Sequence, residues 1–254
     1  MKLFKKYYQY LNWGGRYIND NYLISTTKLN ESEIAKSPKR YDIINYLLKF
    51  LDRESIYLEI GVRNPAINFD LINASKKYSV DPGIEFKENP VDFKMTSDDF
   101  FENLRGGKIL DKKLKFDVIF IDGLHLAEQV DRDIENALFF IKDDGFIVLH
   151  DCNPPTEWHA REEHQYRMSP AGNNWNGTTW KAFVKARQNK DIFSCCIDTD
   201  WGVGIISKSH DFKQNQFISN PFYEFKVFQA ERNKSLGLVG FEEFKTLIGQ
   251  KELI

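Results

Sequence analysis

The stretch that most limits what this chain can fold into runs from Phe116 to Pro155, FDVIFIDGLHLAEQVDRDIENALFFIKDDGFIVLHDCNPP. Val118 to Ile121 and Phe146 to Leu149 are continuous apolar runs, as in strands buried on both faces of a parallel sheet. Between them Leu126, Val130, Ile134, Ala137, Leu138 and Ile141 recur at helical spacing, and Asp143-Asp144-Gly145 punctuates the turn into the second run. The result is a βαβ unit with Asp122 and Asp151 at the carboxyl ends of its strands. Open α/β sheets bind ligands at that edge. If the two strands are neighbours their ends lie roughly 5 Å apart.

At 254 residues, one α/β domain with elaborations is the expectation. A formal charge of -2 argues against broad nucleic-acid binding. No apolar run approaches the ~18 residues of a transmembrane helix. MKLFKKYYQYL lacks the apolar core and cleavage site of a secretory signal. A basic aromatic segment of this kind suits a packed helix, a membrane surface or a partner. Cys152, Cys195 and Cys196 make neither a disulfide framework nor a zinc spacing, as expected of a cytoplasmic protein.

Three segments are expected: an extension over 1–40, an α/β domain over 41–210 with an insertion near 152–176, and a helical extension over 211–254. Gly14-Gly15 reads as a turn, and Ser37-Pro38 as the cap of a helix carrying Tyr41, Ile44, Leu47, Leu48 and Leu51. Strands are expected at 56–60, 78–80, 91–95, 192–197 and 202–207, and helices at 66–76, 98–104 and from Thr178 or Thr179 to Ala186. Two helical patterns, Phe222/Phe225/Phe228 and Phe241/Phe244/Leu247/Ile248, lie within 221–250.

The first strand and its loop read YLEIGVRNPAINF. A strand ending near an acid and a glycine suits a nucleotide-like ligand, but a single glycine is not a dinucleotide fingerprint. Asp81, at the end of the next strand, could accept the two hydroxyls of a ribose or simply form the turn before Pro82-Gly83. Glu59 inside an apolar strand needs a partner, and a cationic ligand could supply it.

The runs LEIGV, VDPG, MTSDDFF, FDVIFIDGLH and GFIVLHDCNP, in that order, resemble the class I S-adenosylmethionine-dependent methyltransferases, most closely the branch with small-molecule and sugar O-methyltransferases. The resemblance covers roughly Tyr41 to Ser207. It implies a Rossmann-like α/β fold: a seven-stranded, mostly parallel sheet with a reversed final hairpin and flanking N- and C-terminal helices. It also implies S-adenosylmethionine as cofactor. Glu59 and Gly61 would flank its methionine part, with Val62, Arg63 and Asn64 beside it. Asp81 would hold the ribose, Thr96, Ser97 and Asp98 would border the adenine, and Asp122 would close the site. The usual glycine-rich loop is replaced here by Val62-Arg63-Asn64-Pro65.

Methyl transfer from a sulfonium is an in-line displacement, so the protein mainly positions and desolvates the reactants. A sugar or alkyl hydroxyl also needs a base or a metal to take its proton. Asp122, His125, His150 and Asp151 are the candidate catalytic groups. In one version Asp122, Asp151 and Asn153 hold Mg²⁺, although Cys152 stands where metal-dependent members often place Asn or Asp. In the other, His125 or His150 is the base. Acceptor contacts are expected from Trp158, His159, Arg161, His164, Tyr166, Arg167, Trp175 and Trp180, which suit a glycan or small-molecule acceptor. A homo-oligomer is compatible with the flanking helices. Three alternatives remain at this stage: a nicotinamide-dependent oxidoreductase, a metal-dependent hydrolase on Asp122, His125, His150 and Asp151, and a non-catalytic binding module.

Overall fold

The computed structural model describes residues 2–86, 88–214 and 216–249. In chain order the elements are α1 (Lys2–Ile18), α2 (Asn21–Ala35), α3 (Arg40–Leu51), β1 (Ile56–Ile60), β2 (Lys76–Val80), α4 (Ser97–Arg105), β3 (Phe116–Ile121), α5 (Ala127–Phe140) and β4 (Ile141–Leu149). They continue with α6 (Thr179–Ala186), β5 (Phe193–Ile197), β6 (Val203–Ser207), α7 (Phe225–Ala230), α8 (Arg232–Leu236), β7 (Leu238–Val239) and α9 (Phe241–Gly249). Among the described residues the sheet has seven strands in the order β2-β1-β3-β4-β6-β5-β7. Strands β2, β1, β3 and β4 are parallel, whereas β6 runs antiparallel to both β4 and β5. This is the Rossmann-like class I sheet that the motifs imply, with the strands ending at Asp122 and Asp151 adjacent.

The unbroken apolar runs follow from burial on both faces. Leu58, Ile60, Ile119 and Ile121 face a core filled from α4, α5 and α6 by Phe100, Phe101, Ile134, Phe140, Trp180 and Phe183. Tyr57, Val118, Phe120 and Val148, one residue out of phase, face Ile43, Ile44 and Leu47 of α3 and Phe244 of α9. The order reverses between β1 and β3, since β2 lies on one side of β1 and β3 on the other. Such a switch point opens a crevice at the carboxyl ends.

Several local expectations are corrected. Residues 66–76 are not an α-helix; two 3-10 turns, Pro65–Ile67 and Phe69–Leu71, take their place. Asn64 Oδ1 accepts from the Ala66 N–H at 3.2 Å, and Asn68 turns its amide inward to Glu59, so polar anchoring interrupts the helical repeat. Residues 91–95 give one parallel bridge, Val80 to Phe93, because the Asp92 carboxylate takes the Ser79 N–H and hydroxyl at 2.9 and 2.7 Å. Gly14-Gly15 makes no turn, and α1 runs through it on its amphipathic repeat. Ser37 is not the cap of α3: Lys39 holds that position, and its N–H donates to Asp42 at 3.0 Å. Phe222 lies outside α7, Leu247 and Ile248 belong to α9, and position 250 lies outside the described residues. Ile141 belongs to β4 rather than to the preceding helix.

Candidate active site

A cleft of about 580 Å³ opens at the switch point. Its cofactor-side wall carries Glu59, Gly61, Arg63, Asn64 and Asn68 after β1, Asp81 after β2, and Met95, Thr96 and Ser97 before α4. Gly61 has φ +92°, and a side chain there would collide with the main-chain carbonyl of Asp122. Only glycine allows the β1 and β3 loops to approach this closely. Glu59 is buried, and its Oε2 accepts from the Tyr57 hydroxyl at 2.6 Å and the Asn68 amide at 2.8 Å. Burial nevertheless outweighs these bonds and pushes its pKa up to about 7. A cationic ligand group would reverse that.

Asp81 both forms the turn and lines the cleft: its Oδ1 accepts from the Gly83 N–H at 2.6 Å and the Asn89 amide at 3.3 Å. Partial burial raises its pKa. Thr96 caps α4 by accepting from the Asp99 N–H at 3.2 Å.

The catalytic candidates meet in the same cleft. His125 lies between two carboxylates, with Nε2 3.2 Å from Asp122 Oδ1 and Nδ1 3.2 Å from Asp151 Oδ2. His150 Nδ1 lies 3.2 Å from Asp122 and 3.3 Å from Asp151, and its Nε2 lies 3.6 Å from Asp200 Oδ2. Arg40 completes the cluster, with Nε 3.7 Å from Asp122 and Nη1 3.1 Å from Asp200. Asp151 sits at φ +60°, and its Oδ1 accepts from the Asn176 amide at 2.7 Å. Burial disfavours charge here, but the opposite charges prevail. Asp151 and Asp122 raise His125 to about 8 and hold His150 well above its ordinary value, while Asp122 stays well below the carboxylate range.

The two histidines are therefore not equivalent. His150 is buried and enclosed by three carboxylates, which favour its charged form. Both line the cleft, and His125, raised to about 8, is the more exposed of the two. A metal also fits part of this cluster: Asp122, His125 and Asp151 present ligand atoms all within 4.8 Å of one another. Asn153 does not join them. Its Oδ1 accepts from Arg232, and its amide reaches Asp198 at 3.3 Å, so its oxygen is engaged away from Asp122 and Asp151.

Two expected cofactor residues do not line the cleft. Val62 is buried without lining the cleft, and Asp98 turns outward to Arg132 at 3.2 Å. Buried Asp133, which no motif marked, lines the cleft instead. Burial lifts it to about 6 against hydrogen bonds from Ser97 and Gln129. Of the acceptor candidates, His164 and Trp175 line the cleft. The Trp175 ring lies 5.1 Å from that of His125 and 4.9 Å from that of His164.

The rest do not line the cleft. Trp180 is core, and Arg161 donates to the carbonyls of Trp158, Gly172 and Asn174. His159 is fully buried and donates from Nε2 to Asn30 at 2.7 Å while Nδ1 accepts from Thr156 at 2.9 Å. Burial, with Arg161 nearby, lowers it to about 4. Trp158, Tyr166 and Arg167 do not line the cleft. Sequence reasoning missed Arg40, Asn68, Asp133, Asn176 and Asp200. Of these, Asp200 alone had a signal: a turn between antiparallel β5 and β6 must return to the edge where β4 ends.

A family model described as a methyltransferase domain matches residues 65–152. Solved structures give weaker overlaps. An O-methyltransferase from Bacillus cereus with S-adenosylhomocysteine is 14% identical, with 74% of this chain and 90% of that chain covered and a TM-score of 0.41. The O-methyltransferase TomG from Streptomyces achromogenes is 12% identical over 75% and 90%, at 0.44. A methyltransferase from Podospora anserina is 14% identical over 75% and 88%, at 0.43. No curated protein matches. The fold assignment rests on strand order and register rather than on these overlaps.

Proposed function

We propose that the chain is a class I methyltransferase that uses S-adenosylmethionine, and that it methylates a hydroxyl oxygen on a sugar of a glycan or glycosylated metabolite. The observation that carries this reading is His125, held between Asp122 and Asp151 in the same cleft that Glu59 and Asp81 line.

On this reading the cofactor brings the methyl group on a leaving sulfonium, and the chain's own residues do the rest. Glu59 and Asn68 receive the amino-acid end, Asp81 the ribose, and Thr96, Ser97 and Asp133 border the base. In its neutral form His125 would take the acceptor proton. Asp122 and Asp151 hold the ring and stabilise the imidazolium that forms. Trp175 and His164 offer a flat face with polar groups beside it, which suits a pyranose. If a divalent cation serves instead, Asp122, His125 and Asp151 would hold it, and it would lower the acceptor's pKa as a Lewis acid.

Calorimetric titration with S-adenosylhomocysteine, with magnesium and again with EDTA, followed by labelled methyl transfer to sugar acceptors, tests this. Micromolar binding and label on a sugar oxygen support the proposal. No binding in either condition sinks it. The hydrolase, oxidoreductase and binding-module alternatives have no observation favouring them beside a methyltransferase domain.

A further inference from the structure

We propose that α1 seats the protein on an anionic phospholipid surface. At 3.6 residues per turn, Leu3, Phe4, Tyr7, Leu11 and Ile18 share one side of the helix. Lys5, Lys6, Gln9, Asn12 and Arg16 share the other. The apolar side is not spent on the body of the protein: Phe4 is 82% exposed, Leu11 74% and Leu3 68%. A monomer rarely leaves so continuous an apolar strip in water.

Charge identifies the occupant. Lys2–Ile18 contains no acidic residue, whereas the whole chain is net -2, so positive charge is concentrated on this element. A second copy of the helix would bring like charges together, while anionic headgroups would meet them with opposite sign. The aromatic content fits the same surface, since the rings of Tyr7, Tyr8, Tyr10, Trp13 and Tyr17 are apolar bodies with polar tips, suited to the headgroup boundary. Among the described residues no helix is long and apolar enough to cross a membrane, so the helix would lie in the interface rather than span it.

The test uses the full chain with vesicles of phosphatidylcholine alone and of phosphatidylcholine mixed with phosphatidylglycerol. Sedimentation is expected to show at least about tenfold stronger partition onto the anionic vesicles, falling at high salt. The double variant Phe4→Ser/Leu11→Ser should lose at least about tenfold in partition while melting temperature and S-adenosylhomocysteine binding stay unchanged. Equal partition onto both vesicle types, or unaltered partition of the double variant, overturns the proposal. So does a concentration-dependent dimer that the double variant abolishes without any vesicle binding, which would give the face to a second copy. Cofactor binding is measured separately, so failure here and failure of the methyltransferase reading are distinguishable.

Discussion

Asp200 grips Arg40 twice through a single oxygen: Oδ2 accepts from the Arg40 main-chain N–H at 3.0 Å and from Nη1 at 3.1 Å. The hairpin turn between β5 and β6 thereby fixes both the start of α3 and the cation beside Asp122. Nearby positive charges hold Asp200 well below the carboxylate range despite its burial. Asp200→Ala leaves a buried guanidinium short of its main partner. It should cost about 3 kcal/mol in urea unfolding and lower turnover as Arg40 shifts. A wild-type midpoint and turnover would show the pair to be dispensable.

The raised pKa of His125 gives turnover a direction with pH. As the base it must be neutral, so kcat/KM for the acceptor should rise with pH and level off above about 8. The same shift makes the cofactor-free fold weaker over that window. A histidine raised from 6.5 to about 8 contributes about 2 kcal/mol that is fully present below 6.5 and lost as pH passes 8. His125→Gln should remove the activity limb along with most of the turnover. A flat profile in the wild type would take the base role from His125.

Glu59 should make cofactor affinity pH-dependent in its own range. Its carboxyl is raised to about 7, and the ligand's ammonium favours the ionised form, so binding expels a proton at pH 6 and little at pH 8. Titrations with S-adenosylhomocysteine should tighten by about tenfold between those values. Glu59→Gln should bind more weakly and lose the part of the dependence centred near 7. If the dependence survives intact in that variant, the proton belongs elsewhere.

Asp81→Ala and Gly61→Ala separate a ligand contact from a backbone requirement. The first should weaken S-adenosylhomocysteine binding by about tenfold with a near-normal melting temperature, because the side chain otherwise supports only a turn. The second should lower both binding and stability, because the added methyl meets the Asp122 carbonyl at a positive φ. Unchanged affinity in both variants would move the cofactor away from the β1 and β2 ends.

The parts of this architecture legible in the sequence were those with a period or a punctuation mark. The βαβ unit from Phe116 was readable because burial on both faces forces unbroken apolar runs, and Asp122 and Asp151 stood out as their terminal acids. Contacts between segments distant in sequence left no such trace. Nothing in the chain announces that Arg40 meets Asp200, that Asn176 holds Asp151, or that Asn153 is claimed by Arg232. Asn68 misled the helix expectation over 66–76 because its polar tie to Glu59 is tertiary. The paired glycines of α1 misled in the opposite sense, since an exposed helix can absorb their cost when its amphipathic repeat continues.

The imidazole of His159 joins two regions that the linear order keeps apart. One ring nitrogen is anchored to Thr156 in the segment that supplies His164 and Trp175, and the other to Asn30 in α2. Swinging that segment outward to exchange an acceptor must either sever the bond to Asn30 or drag α2 along. Whatever α1 rests upon is then tied, through α2 and the Asn30–His159 bond, to the segment at the mouth of the cleft.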